Sequence, residues 1–72
     1  MNGSEIKARL SETDIIWLDY LVRGFTTKQI AEELKLSEYS IDQRISRMIL
    51  KMGAKNRVQA VALAVQHRII RV

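Results

Sequence analysis

The sequence predicts an all-α fold built from four helices. Three observations support this prediction. The 72 residues contain no proline, apolar residues recur at the three- and four-residue spacing of a helix, and each candidate helix start carries a side chain that can cap free backbone N–H groups. No segment alternates for long with the two-residue period of a β-strand. A chain of this length forms one domain, near the lower limit for folding on a core of its own.

The first two predicted helices are marked by capping boxes, in which a cap side chain and a side chain three residues later bond each other's backbone. The first begins at the sequence SETD, where Ser11 caps and Asp14 completes the box. Gly24 can adopt the left-handed conformation that ends this helix. The second predicted helix is only about two turns long. It is capped by Thr26, with Gln29 as the partner three residues later.

The third predicted helix is capped by Ser37, covers about residues 38–52 and is ended by Gly53. Its inward face holds four apolar side chains at helical spacing, Ile41, Ile45, Met48 and Met52. The fourth predicted helix is capped by Asn56 and reaches about Arg68.

The second and third predicted helices form the most informative pair. A short helix, a three-residue turn over residues 35–37 and a longer helix make up a helix-turn-helix arrangement. Ala31 suits a close crossing of the two helices, because a larger side chain would hold them apart. On the pattern alone, the alternative is a helical hairpin that only packs.

The charge of the chain is unevenly distributed. The net charge is +4, but residues 1–36 hold five Lys/Arg against six Asp/Glu, whereas residues 37–72 hold seven against two. A basic half of this kind indicates a polyanionic partner, although a modest excess of cations is also common on ordinary surfaces.

Several classes of protein are disfavoured by composition. The chain has no cysteine and one histidine, so we expect no metal site and no cofactor. Its longest apolar run, residues 60–65, is far too short to cross a membrane. The first ten residues lack the apolar segment of a signal peptide. We therefore expect a cytoplasmic protein.

A family resemblance rests on three segments: GFTTKQIAEEL, residues 37–41, and KMGAKNRVQAVALA. Through these segments the chain from Leu10 to Ile70 resembles the LuxR/GerE-type DNA-binding domain of bacterial transcription regulators. The resemblance implies a four-helix helix-turn-helix domain over residues 10–72, which we expect to follow a flexible segment over residues 1–9. It also implies a nucleoid-associated regulator without enzymatic activity, whose third helix enters the major groove of double-stranded DNA. The second helix and nearby loops would contact phosphates, and the fourth helix would form a homodimer.

The residues expected to contact DNA lie on the second and third predicted helices and in the loop that follows. Gln43 is the best candidate for reading a base, because an amide can pair bidentately with adenine. Arg47 and Lys51 suit phosphates, which fix position without reading sequence. The alternative for this surface is a solvated helix face. The complete set is Thr26, Thr27, Lys28, Tyr39, Asp42, Gln43, Arg44, Ser46, Arg47, Lys51 and Lys55.

The third helix departs from the family pattern at Asp42. Where the family usually has Thr-Val-Lys and, one residue on, His, this chain reads Ser-Ile-Asp-Gln-Arg over residues 40–44. Asp42 has two interpretations. It can accept a hydrogen bond from cytosine and repel guanine, or it can pair locally with Arg44 as an exposed ion pair. The fold is therefore implied by the resemblance, and the preferred base sequence is not.

Two further surfaces are predicted from unpartnered apolar positions. The fourth helix is apolar around much of its circumference, so its outward side chains predict a dimer seam formed by Gln59, Ala62, Leu63, Gln66 and Ile70. Ile16 and Tyr20 lie four residues apart, opposite the inward face of the first helix. They indicate a docking surface for a sensor or receiver domain, or else an isolated solvated pair. A rival hypothesis for the whole chain is a helical interaction module that docks on another regulator without binding DNA.

Overall fold

The computed structural model describes residues 2–71 and contains five α-helices and no strand over that range. The helices are α1 (Gly3–Ala8), α2 (Glu12–Val22), α3 (Thr27–Leu34), α4 (Glu38–Met52) and α5 (Arg57–Gln66). The prediction of an all-α fold is confirmed, with α2 to α5 as the four predicted helices. Met1 and Val72, which the predicted segments 1–9 and 10–72 include, lie outside the described residues. Each helix described is too short or too polar to span a bilayer.

Both predicted capping boxes are present. Ser11 Oγ accepts a hydrogen bond from the Asp14 N–H at 3.1 Å, and Asp14 Oδ2 accepts one from the Ser11 N–H at 2.9 Å. Thr26 and Gln29 form the same pair of bonds at the start of α3. Gly53 ends α4 with a φ of 70°, a left-handed conformation that glycine adopts without steric cost. These local interactions fix where the helices begin and end.

The turn between α3 and α4 contains a left-handed residue that is not glycine. Lys35 has a φ of 56°, and the N–H groups of Lys35 and Leu36 both donate to the Ala31 carbonyl. A side chain in this left-handed conformation costs roughly 1–2 kcal/mol, which the packing of α3 on α4 offsets. Ala31 is buried, as its small size predicted. The chain therefore has the predicted helix-turn-helix.

The core is centred on α4. Its four predicted inward side chains are each at most 1% exposed, and every other helix packs against α4. The remaining buried apolar residues come from all parts of the chain: Ile6, Trp17, Leu18, Leu21, Ile30, Ala31, Ala60, Ala64, Ile69 and Ile70. A small domain with a single core of this kind loses stability readily when one large buried side chain is removed.

Helix α1 differs from the flexible segment predicted for residues 1–9. The Asn2 side chain caps it by accepting from the Glu5 N–H at 2.9 Å, and Ile6 is buried to 1% exposure as α1 packs against α4. Gly3 allows α1 to approach the end of α5, because a Cβ at this position would lie 2.7 Å from Cβ of His67. A single apolar residue shows no periodicity, so the sequence pattern did not predict this helix.

The end of α5 also differs from the prediction. The helix ends at Gln66, whereas the prediction placed its end near Arg68. The chain turns at Arg68, whose φ is 54°, so that the N–H groups of Ile69 and Ile70 both donate to the Ala64 carbonyl. Ile70, predicted to face outward in a dimer seam, is instead 6% exposed and belongs to the core. The prediction extended the helical periodicity of α5 past its end at Gln66 and therefore placed Ile70 on the outward face.

Replacement of Ile6 tests whether α1 belongs to the folded domain. Ile6→Ala should lower the free energy of unfolding by about 2–4 kcal/mol, because it leaves a cavity in the core. Urea denaturation followed by circular dichroism measures this. Leu50→Ala, at a position 78% exposed, is the matched control and should change stability little. Equal, small effects of both changes would mean that α1 contributes nothing to the fold in solution.

Candidate nucleic-acid interface

The outward face of α4 carries one continuous line of exposed side chains, which we call the α4 stripe. Its members follow the helical spacing: Tyr39, Gln43, Ser46, Arg47 and Leu50. Tyr39 and Leu50 at its two ends are 74% and 78% exposed. Four of its members (Tyr39, Gln43, Ser46 and Arg47) have side chains that can hydrogen-bond to base edges or phosphates. The stripe includes four of the predicted DNA-contacting residues and adds Leu50, which the sequence analysis missed.

Three exposed cations, one on the stripe and two outside α4, have no carboxylate partner among the described residues. The side chains of Lys28, Arg47 and Lys55 are exposed and form no ion pair with a carboxylate of residues 2–71. Lys28 stands in the first turn of α3, where backbone N–H groups lack intrahelical partners and favour anions. The Thr26 hydroxyl takes one of these groups, the Gln29 N–H. The arrangement suits a polyanion without requiring an existing ion pair to break.

One flank of α4 is held by a three-residue network, which we call the Asp42 network. Arg57 Nη2 donates to Asp42 Oδ1 at 2.6 Å, and Arg57 Nη1 donates to Thr27 Oγ1 at 2.7 Å. Thr27 Oγ1 in turn donates to Asp42 Oδ1 at 3.1 Å. The network joins the starts of α3 and α5 to the second turn of α4. Asp42 therefore pairs with Arg57, and the predicted local pair with Arg44 is not formed.

The opposite flank of α4 is held by α2. The Arg44 guanidinium lies 5.7 Å from the centre of the Trp17 ring, a cation–π arrangement. Lys51 Nζ donates to Asp14 Oδ2 at 2.7 Å. Both cations are predicted phosphate or base contacts, and both already have intramolecular partners. Arg47, the third cation in this part of α4, lines one concavity with both of them but forms no ion pair with a carboxylate of residues 2–71.

The Asp14 carboxylate has the clearest electrostatic perturbation in the domain. Its partial burial raises its pKa, but hydrogen bonds from Lys51 and Ser11 together with the Lys51 charge outweigh this effect and hold the pKa below its ordinary value. Asp14 thus serves both the capping box of α2 and the ion pair that joins α2 to α4.

The residues of α5 that face outward differ from those predicted for the dimer seam. Ala62 and Gln66 are exposed as predicted, but Leu63 is half-buried against the core. Gln59 is also half-buried, with Oε1 accepting from the Lys55 N–H at 2.6 Å. The outward residues of α5 form a different line, which we call the α5 stripe: Val58, Ala62, Val65 and Gln66. Val58 is 79% exposed, and nothing in the sequence pattern singled it out.

The predicted pair Ile16 and Tyr20 lines an open groove of about 570 Å³ between α2 and the C-terminal residues. Ile16 is 51% exposed. Tyr20 is half-buried and meets the ring of Phe25 edge to face, with the ring centres 5.0 Å apart. The two residues are therefore part of one apolar concavity and not an isolated solvated pair.

Comparison with known proteins supplies an independent line of evidence. The model of the family described as "bacterial regulatory proteins, luxR family" matches residues 8–64. This range includes α2 to α4 and most of α5, with the complete helix-turn-helix. No solved structure matches the chain.

Curated relatives are similar over most of the chain. The transcriptional regulatory protein YdfI of Bacillus subtilis (strain 168) is 32% identical over 97% of this chain and 33% of its own length. Response regulator Rre1 of Synechocystis is 33% identical over 89% of this chain and 28% of its own length. The DNA-binding transcriptional activator DevR/DosR of Mycobacterium tuberculosis is 33% identical over 79% of this chain and 26% of its own length. The chain thus spans about a third or less of the length of these relatives.

The Asp14–Lys51 pair should make stability pH-dependent. A carboxylate whose pKa is depressed in the folded state stabilises the fold above its ordinary pKa of 3.8, and that stabilisation is lost as the pH falls through the folded-state value. Asp14→Ala should therefore cost about 1–3 kcal/mol near pH 7. The difference from the parent should shrink below about pH 4. Urea unfolding from pH 3 to 7 measures both effects.

Asp19→Ala is the control for this experiment, since Asp19 also pairs with a cation, Arg23 at 3.0 Å, but in an exposed pair within α2. It should cost at most about 1 kcal/mol. Identical pH profiles for the two variants would contradict a special role for Asp14.

Proposed function

Because this chain belongs to the luxR family of bacterial regulatory proteins, we propose that it is the double-stranded-DNA-binding domain of a bacterial transcription regulator, with α4 in the major groove. The α4 stripe is the observation that carries this proposal. It presents polar side chains along one exposed face of the second helix of a helix-turn-helix, the helix that enters the groove in such motifs. Arg47 on the stripe, Lys28 at the start of α3 and Lys55 in the loop before α5 are unpaired among the described residues and suit a phosphate backbone.

The proposed contacts divide into two kinds. Gln43 and Ser46 lie on the exposed line of α4 and would read base edges, with Gln43 suited to adenine. Tyr39 would add contact at the start of the stripe. Arg47, Lys28 and Lys55 would bind phosphates, because they are exposed and unpaired among the described residues.

Four of the other predicted contacts have a supporting role in this proposal. Thr26 caps the start of α3 and is itself exposed, so a phosphate can approach this helix end. Thr27 belongs to the Asp42 network. Arg44 and Lys51 would approach DNA from the α2 side of α4, with their positions set by Trp17 and Asp14. The proposal assigns the chain no catalytic activity, and a DNA partner places it on the nucleoid in the cytoplasm.

We propose that two copies associate through the α5 stripe on DNA. The stripe presents three apolar side chains and Gln66 to solvent. A single short helix buries less area than a stable interface needs, so the isolated domain should be a monomer or a weak dimer. Two bound copies would then stand on half-sites about one helical turn apart.

The groove beside α2 is our proposed docking surface for a sensor or receiver domain. Ile16 is half exposed there, and Tyr20, Phe25 and Ile69 provide the apolar wall. The chain is similar to a stretch that makes up 28% of the length of a response regulator, and this similarity supports a partner of this kind.

If a domain of this type docks here, adding it as a separate protein should slow the hydrogen exchange of the Ile16 amide or reduce surface labelling at Ile16.

Salt titration tests the electrostatic part of the proposal. With about four to six phosphate contacts, the plot of log affinity against log salt should have a slope of about −4 to −5. Lys28→Ala or Arg47→Ala should weaken binding to all duplexes alike and make the slope shallower by roughly one. Arg23→Ala, which removes a cation already paired with Asp19 on α2, is the control and should leave the slope unchanged. An affinity independent of salt would favour the rival interaction module.

Substitution on α5 tests assembly. Ala62→Glu places a charge in the middle of the α5 stripe and should abolish cooperative binding to two half-sites, because like charges would face each other across a two-fold seam. Binding to a single half-site and the helical circular dichroism spectrum should be retained. Ile16→Glu, the same change at an exposed apolar site on α2, is the control. Unchanged cooperativity in the α5 variant would place the dimer contact elsewhere.

A further inference from the structure

An acidic side chain on a helix that would face DNA requires an explanation, because phosphates repel carboxylates. Asp42 lies in the second turn of α4, beside Gln43 of the α4 stripe. Its side chain is 52% exposed, so it is not held by burial. Its position is determined by the Asp42 network, in which the two hydrogen bonds that Asp42 accepts go to the same oxygen, Oδ1.

The second carboxylate oxygen is left available. Oδ2 of Asp42 accepts no hydrogen bond from any group in residues 2–71. Two donors on Oδ1, from α3 and from α5, fix the carboxylate plane, so Oδ2 has a defined direction. A preorganised acceptor loses less conformational entropy on binding than a freely rotating one. The network therefore presents one oriented acceptor at the side of the α4 stripe.

The charge of this acceptor is compensated within the domain. Arg57 is half exposed and lies 2.6 Å from Asp42, so the pair contributes no net charge to the surface. The compensation reduces the repulsion that a bare carboxylate would feel from the DNA backbone. It also withdraws Arg57 from the set of cations free to bind phosphates.

We propose that Asp42 is a specificity-determining residue that accepts a hydrogen bond from the 4-amino group of cytosine, and that Arg57 and Thr27 are its positioning residues. This inference rests on the proposed function. In the major groove, cytosine presents an amino donor, guanine presents the acceptors N7 and O6, and thymine presents the acceptor O4. Adenine places its amino donor next to the N7 acceptor. A full carboxylate therefore favours cytosine and disfavours guanine most strongly.

The competing role for the Asp42 network is purely structural, as a tie of the starts of α3 and α5 to the second turn of α4. Base preference separates the two roles. A structural tie affects stability and the affinity for every duplex equally, whereas a specificity-determining residue changes the preference at one base-pair position.

Selection of binding sites from random duplexes, carried out with the 72-residue chain, tests the proposal. The parent should select a site with cytosine at one position beside the adenine that Gln43 would read. Asp42→Asn keeps the side-chain size and an oxygen for Thr27 and Arg57, so folding should be retained, as melting curves will show. It removes the charge and adds a donor, and should therefore reduce the discrimination of cytosine from guanine at that position roughly 5- to 10-fold. Asp19→Asn, the same change in the exposed pair on α2, should leave the selected site unaltered.

Arg57→Leu tests the positioning role. It should weaken discrimination at the same base-pair position and lower affinity for all duplexes, because the Asp42 charge is then uncompensated. Arg57→Lys, which retains the charge and can still reach Asp42, should restore the general affinity. The double variant Asp42→Asn/Arg57→Leu should lose no further discrimination, because both changes act through one contact. Additive losses at different positions would overturn the positioning role of Arg57.

The outcomes distinguish this inference from the function on which it rests. If the parent selects a defined site and folded Asp42→Asn selects the same site with the same discrimination, the role of Asp42 is overturned and the proposed function stands. If the parent retains no duplex even at low salt, the proposed function fails, and the role of Asp42 fails with it.

Discussion

The packing of α4 is the constraint on which the rest of this domain depends. Each of the other four helices contacts it, and its inward side chains are almost completely buried. Because one face of α4 is fixed in this way, the opposite face has no freedom to rotate inward, and the α4 stripe must face solvent. In the proposed function, the same rigid packing holds the backbone that carries Gln43 and its neighbours, so only their side chains lose conformational freedom on binding.

The two flanks of α4 add polar restraints to this apolar anchoring. Asp42 is tied to Thr27 and Arg57 on one side, and Lys51 is tied to Asp14 on the other. These contacts also change the electrostatic picture of the basic half of the chain. Of its seven cations, two are paired with carboxylates and Arg44 lies over Trp17. The field available to a polyanion is therefore set by fewer cations than composition implies.

Both ends of the described chain contribute to the core of this small domain. Ile6 comes from α1 and Ile70 from the turn after α5, and both are buried. The close approach of Gly3 to His67 brings the two ends together. For a chain of this size, every large buried side chain is a substantial fraction of the stability, so these terminal residues belong to the folding unit. The outward surfaces of α2 and α5 remain open for partners in the proposed assembly.

The sequence determined the helices that depend on contacts three or four residues apart. The capping boxes at Ser11 and Thr26 and the glycine at residue 53 are local interactions, so the limits of α2, α3 and α4 could be predicted. The same periodicity predicted four of the five side chains of the α4 stripe, and Leu50 is the one that it did not single out. The tertiary structure alone decided which charges pair, since Asp42 and Arg57 are 15 residues apart and Asp14 and Lys51 are 37 apart. It also decided the fate of Ile6 and Ile70, because burial at a chain end depends on how the chain packs and leaves no periodic signal in the sequence.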